Sequence, residues 1–415
     1  MRIATSTINA IGVAGMANQT SQMVTLEEEI STNRTVNLAG DNPVAAAESV
    51  QVQTSIQNQT QYTANQDSAT TALGLEDSTL SSVSTVIQNI QSVLEQANNG
   101  SLTDTDRASY ATELESDRAQ LLALANTTNS TGQYIFSGAQ TSTAPFSNNP
   151  SGAGVVYNGD QGVINAQISS SRQIATNDPG SNVFMSATPG ATSPIPTASS
   201  SNTGSGTIGV VSTTQSGAAS NADSYTVTFA VDASGNTTYT VTDNSATPPT
   251  VSSAQNYTAG SSIQLGTGET ITINGAPADG DSFNVAPPTA SQNNIFATID
   301  NAIAALQTPS QSASGQTNVT NQMATALSQV ANSYTTVLTT LASVGSRETE
   351  VNATSTLTST VSTTYSTQLS NLVGLTTDAM AGVYSQLSTI QTQLQATEEA
   401  YSSTAKLSLF SDINT

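Results

Sequence analysis

"GVYSQLSTIQTQLQATEEAY", Gly382 to Tyr401, reads as one helix with a single apolar seam. Met380, Val383, Leu387, Ile390, Leu394, Thr397 and Tyr401 follow one another at alternating steps of three and four, the spacing of a coiled-coil contact line. Between them stand mostly Gln, Ser and Thr, with Glu398 and Glu399 the only charges, so no Glu/Lys code selects a partner. Ordering such a segment costs about 1–2 kcal/mol per residue. Burying a large apolar side chain returns roughly 1.5–3 kcal/mol. Without a partner the second quantity mostly vanishes, and the helix is expected to melt.

A matching stripe lies at the other end of the chain. Met16, Gln19, Met23, Leu26 and Ile30 step by three and four, an amphipathic helix with one polar lapse. The simplest packing sets the N-terminal helices against the C-terminal ones. The candidate interface is therefore Met16, Met23, Leu26, Ile30, Met380, Val383, Leu387, Ile390, Leu394 and Tyr401.

Between the two stripes the texture changes twice. In "AGDNPVAAAE" Asp41 or Asn42 can cap a helix whose first position suits Pro43, and that helix is predicted to run to Ala97. Its second half keeps the seam through Leu80, Val83, Ile87, Ile90, Leu94 and Ala97. After the break "NNGSLTD", a third helix carries Tyr110, Leu114, Asp117, Leu121 and Leu124. From about residue 140 the period becomes two. Tyr225, Val227, Phe229 and Val231 share one face, Tyr239 and Val241 another, with a turn at Asp232 to Asn236. Ile271 and Ile273 alternate before a turn at Asn274 and Gly275, and Phe283 and Val285 resume the pattern. The Ser/Gly/Pro-rich piece Ala187 to Ser220 is expected to be a poorly ordered loop. Helix returns with Ile295, Ile299, Ile303 and Leu306. A longer one follows through Met323, Leu327, Val330, Tyr334, Val337, Leu341 and Val344, and a weaker Thr/Ser-rich stretch then leads to Gly382. The fold class is mainly α with an inserted antiparallel β domain.

Composition narrows the function. Net charge is -22, from 29 acidic against 7 basic residues, which disfavours nucleic acid. With no Cys and no His, thiolate metal sites, disulfides and the commonest general base are excluded. No run of 18 apolar residues occurs, so no membrane insertion is expected. Asn9, Gly12 and Gly15 dilute the apolar stretch Ile8 to Ala17, and a cleaved secretory signal is not expected either. A calcium loop at Asp104, Asp106 and Glu115 fails, because Ser109 stands where Gly is required. Acids on the first turn of a capped helix account for it. In "ADGDS", Ala278 to Ser282, an Asp-Gly turn outweighs a cation loop. The Ser residues have no His, and Lys406 stands too isolated to serve as their base. No catalytic residue, metal ligand or cofactor is expected. A secreted adhesin or carboxylate enzyme acting through the β domain stays open as an alternative.

Several stretches, taken in order, resemble the flagellin-like axial proteins of the bacterial flagellum: "MRIATS" (1–6), "AGDNPVAAAE" (39–48), "NNGSLTDTDRASYATELESDRAQLLALANTTNSTGQYIFSGAQTSTAPF" (98–146), "GAPADGDSFNV" (275–285), "LASVGSRETEVNAT" (341–354) and "AKLSLF" (405–410). Within that family "MRIATS" and "GQYIFSGAQT" look more like the junction members between hook and filament than like flagellin, which stays the alternative. The resemblance implies a terminal coiled-coil domain (1–40 plus 365–415) unfolded in the monomer, a helical bundle domain (41–140 plus 289–364) and an outer β domain (141–288). It implies a ring of subunits between hook-associated protein 1 and flagellin, reached by type III export with a chaperone. The chain departs from the family in its shortage of Arg and Lys along the helices, which leaves inter-subunit salt bridges few donors.

Overall fold

The computed structural model describes residues 5–186, 193–289, 293–309 and 312–413. Of the stretches that carry the resemblance, Met1 to Ala4 of "MRIATS" lie outside the described residues, as do residues 187–192 of the expected loop.

Helices occupy both ends: α1 (Thr5–Thr32), α2 (Pro43–Ala97), α3 (Asp104–Ala125), α4 (Gly180–Phe184), α5 (Ile295–Gln307), α6 (Ala313–Val373) and α7 (Thr377–Ile413). Their starts follow local chemistry. At α2 the Asn42 side-chain oxygen accepts from Ala45 N–H at 3.1 Å and Pro43 takes the first position. At α3 Thr103 and Asp106 form a reciprocal capping box, so the acids once weighed as calcium ligands belong to a helix start. The Thr/Ser-rich stretch before α7 is helical to Val373. There Thr360, Thr363, Thr364 and Thr367 each return their hydroxyl to the carbonyl four residues back, at 2.9–3.0 Å.

The chain forms two compact units. One comprises Met1–Asn65, Ile168–Ser170 and Ala353–Thr415. The other, Gln66–Gln167 with Ser171–Asn352, holds the large core. In that second unit the predicted rows are buried: Leu80, Val83, Ile87, Ile90 and Leu94 of α2, Leu114 and Leu121 of α3, Ile295, Ile299 and Leu306 of α5, and Met323, Val330, Val337 and Val344 of α6. Phe136, Phe146, Phe184 and Phe296 form an aromatic cluster. Phe184 meets Phe136 and Phe146 edge to face at 5.3 and 5.4 Å between ring centres.

The second unit also contains the β region apart from Ile168–Ser170. Strands β1 (Phe146–Asn148) and β2 (Val155–Tyr157) pair, and β3 (Asn165–Ser169) and β4 (Arg172–Ala175) follow. Then come β5 (Ile195–Ala198), β6 (Thr207–Ile208), β7 (Ser212–Thr213), β8 (Tyr225–Val231), β9 (Thr237–Asp243), β10 (Thr250–Val251), β11 (Gln255–Asn256), β12 (Ser262–Leu265), β13 (Glu269–Asn274) and β14 (Ser282–Ala286). One antiparallel sheet runs β10-β9-β8-β14-β5, with β11 beside β9; another runs β12-β13-β6, with β7 beside β13. Ile208, Val227, Phe229, Ile263, Ile271 and Phe283, drawn from both sheets, share one core.

One expectation is corrected here. Within Ala187 to Ser220, the described part from residue 193 holds strands β5, β6 and β7. Their partners are β14 and β13, distant in sequence by the register Thr213↔Glu269, Thr207↔Asn274 and Ile195↔Ala286, so local composition carries no sign of them. The runs around Ile271 and Phe283 are separated by the expected turn at Gly275 (φ 82°) and enter different sheets. At that turn a Cβ on Gly275 would lie 2.2 Å from the Ser205 carbonyl oxygen, which keeps the position to Gly.

Candidate assembly interface

In the first unit α1 and α7 pack along their seams. Leu26, Leu375 and Val383 are buried together, and Ile30, Ala379, Met380, Leu387 and Ile390 pack against them. Leu26 thus shares a core with Val383, while Gly12 faces Tyr401, so the helices run antiparallel. A Cβ on Gly12 would stand 3.2 Å from the Tyr401 ring, so the absence of a side chain lets the two helices approach closely. Met16, Met23, Leu394 and Tyr401 are half-buried. Every one of the ten side chains singled out by spacing is buried or half-buried, and on α7 the residues from Ala381 to Ala400 outside the seam are exposed.

The closed end of this pair is a backbone clasp. Asn33 adopts φ 55° and ends α1. Arg34 and Gly374 form an antiparallel bridge; Thr35 N–H donates to the Val373 carbonyl at 2.9 Å and Leu375 N–H to the Asn33 carbonyl at 3.0 Å. Val36, Ala45 and Val373 close a small apolar core with Leu369 and Leu372 packed on it. The Asp41 carboxylate accepts from the N–H groups of Asn37 and Leu38, shaping the turn into α2. Burial and then the charge of Asp41 raise the Glu29 carboxyl above its ordinary value.

Spacing missed Leu375, Val36 and Val373. Leu375 and Val36 lie in connections, where no period exists to reveal them. Spacing also gave no sign of what the outer surface carries. Ile11, Val13, Val24, Leu38, Val44 and Val50 are each at least 50% exposed. Exposed apolar side chains on α1, on the connection after it and at the start of α2 leave this unit a surface to cover.

Four arginines form ion pairs within the second unit. Arg118 pairs with Asp300 and also donates to Asn148 Oδ1 and the Gly154 carbonyl. Arg107 pairs with Asp104, Arg172 with Glu350 and Arg347 with Asp178. Asp281, in the "ADGDS" turn, accepts from the N–H groups of Thr203, Gly204 and Ala278 and so fastens chain segments together. Among the described residues no group of three or more acids is placed to hold a metal ion, and no helix is long and apolar enough to cross a membrane.

The family model for the bacterial flagellin N-terminal helical region matches residues 3–141. Flagellar hook-associated protein 3 of Salmonella typhimurium is 36% identical over 188 residues, which cover 45% of this chain and 58% of that protein. The chain thus spans under two thirds of the length of this curated relative. Among solved structures, hook-associated protein 3 of Legionella pneumophila matches with a TM-score of 0.69 at 28% identity, covering 77% of this chain and 98% of that one. FlgL of Xanthomonas campestris matches with 0.66 at 29%, covering 77% and 99%. The order of helices, inserted antiparallel β region and helices is a fold shared with these solved structures, and the chain is similar to flagellar hook-associated protein 3.

Proposed function

We propose that the chain is a structural, non-enzymatic subunit of the bacterial flagellum that joins hook to filament. Subunits form a ring through α1 and α7, with hook-associated protein 1 on one side and flagellin on the other. The terminal segments, 1–40 with 365–415, stay unfolded in the monomer and order on assembly. An export chaperone holds the C-terminal segment beforehand, and the type III export apparatus delivers the chain outside the cell without a cleaved signal peptide.

The observation that carries this reading is the exposure of Ile11, Val13, Val24, Leu38, Val44 and Val50 in a unit whose α1/α7 core is thin. A pair so built gains most of its burial from neighbours. Deleting the gene should give cells with hooks and no filaments, restored by the intact chain. Filaments of normal length in the deletion strain would overturn the proposal. Long fibres grown from the pure protein would point to flagellin instead. Loss of a binding or hydrolytic activity, with motility intact, on deleting 141–288 would point to the β region.

A further inference from the structure

Glu76 lies on α2 within the second unit and is 1% exposed. Its Oε1 accepts from Asp178 N–H at 3.0 Å, while its Oε2 is sealed from solvent and has no hydrogen-bond partner. Asp178 pairs with Arg347 of α6, and Arg347 Nη1 also donates to the Ala175 carbonyl at 3.1 Å. Three elements therefore meet at two carboxyl groups and one guanidinium. With both acids ionised the cluster would hold one uncompensated buried negative charge, an arrangement a folded interior resists.

We propose that Glu76 and Asp178 share one proton and, with Arg347, form a pH-sensitive clasp. It fastens residues 175–179 between α2 and α6 and releases them when the proton is lost to solvent. The proton sits on Glu76 Oε2 and is donated to the Asp178 carboxylate, which supplies the partner that Oε2 otherwise lacks. On ionisation that bond is replaced by repulsion between two anions, against which Arg347 is the cation in direct contact.

The groups around Glu76 point the same way. Asp178 faces it from the segment before α4, and Arg347 from α6. A Cβ on Gly74, two residues away, would lie 3.6 Å from Glu348 Oε1, so α6 also brings an acid toward this part of α2. Burial first, and the charge of Asp178 next, push the Glu76 carboxyl up to about 8, against the lowering pull of Arg347. An open groove of about 840 Å³ lies alongside, with Leu75, Ile135 and Ile164 among its walls. Glu76, Thr176 and Asn177 form part of its lining, so release would reshape it.

The sign of the effect follows from linkage. The folded carboxyl keeps its proton to about pH 8, whereas the unfolded one releases it near 4.5. Stability is thus full below the unfolded value and is lost as pH rises through the folded one. Thermal melts of the full chain and of Glu76→Gln, taken from about pH 5 to about pH 9, should differ in slope. The wild type should lose roughly 5 °C or more relative to the variant across that range. Using the difference between the two profiles removes the contribution of Glu269, which burial and Asp223 push up to about 7. The infrared band of a protonated carboxylic acid should be present near neutral pH in the wild type and weaker in the variant. Amide exchange at Asp178 should accelerate as the band disappears. Parallel melting profiles, or an unchanged band in Glu76→Gln, would overturn the clasp. If that variant does not fold, Asp178→Asn serves: in it the carboxylic acid band should titrate at lower pH than in the wild type, and an unmoved midpoint would equally overturn the clasp.

Discussion

The two units differ most in what their cores are made of. In the unit of Gln66–Gln167 and Ser171–Asn352, large side chains such as Phe136, Phe184, Leu80, Ile90 and Leu121 are fully enclosed. In the unit of both chain ends, Leu26, Val36 and Val383 each keep 8% exposure, and most of the seam is only half-buried. Exposed large apolar residues show the reverse bias. Among the described residues, eight of fourteen, Ile11, Val13, Val24, Leu38, Val44, Val50, Leu357 and Tyr384, belong to the unit of both chain ends. One unit encloses its large apolar side chains, and the other leaves several of its own exposed. The same kind of apolar row is thus fully enclosed in one place and only half-buried in the other.

Substitutions can break this contrast or sharpen it. The largest effect is expected from Val383→Asp, which places a charge in the α1/α7 core: motility should fall to the level of a deletion strain. The melting transition of the well-packed unit should stay unchanged in calorimetry. Loss of that transition as well would show that the two cores are not energetically separate.

Phe184→Ala should act in the opposite manner, costing about 3–5 kcal/mol in denaturant unfolding, because it empties the centre of the aromatic cluster. Arg118→Ala, which strands Asp300 and frees the Gly154 carbonyl, should cost about 2–3 kcal/mol in the same measurement, less than a fully buried pair because both partners retain some exposure. Thr103→Ala removes the α3 cap and should cost about 1 kcal/mol. The smallest change is Gly12→Ala. Better helix propensity favours it by about 1 kcal/mol, and the Tyr401 ring opposes it at 3.2 Å. A small rise in the helicity of the monomer by circular dichroism is the expected balance.

Much of this was legible in the sequence wherever a period was long enough to read. The seam residues of α1 and α7 stand at steps of three and four, and the structure buries that face of each helix. Leu375 and Val36 sit in short connections and reach their cores through backbone pairing at Arg34 and Gly374, which no local pattern encodes. Strands β6 and β7 are two residues each and exist because β13 lies beside them. Glu76 was legible in principle. Leu73, Glu76, Leu80 and Val83 continue the alternating steps, so an acid occupies an apolar row of α2, and that irregularity marks a position where the core is polar.

The antiparallel contact between Gly12 and Tyr401 also sets a schedule. Its two sides are separated by about 390 residues of chain, the costliest kind of loop to close. The helix synthesised near the beginning of this sequence must wait for the one near its end. The contact therefore forms late by topology alone, and a fluorophore pair at these two positions would time that step from encounter to closure.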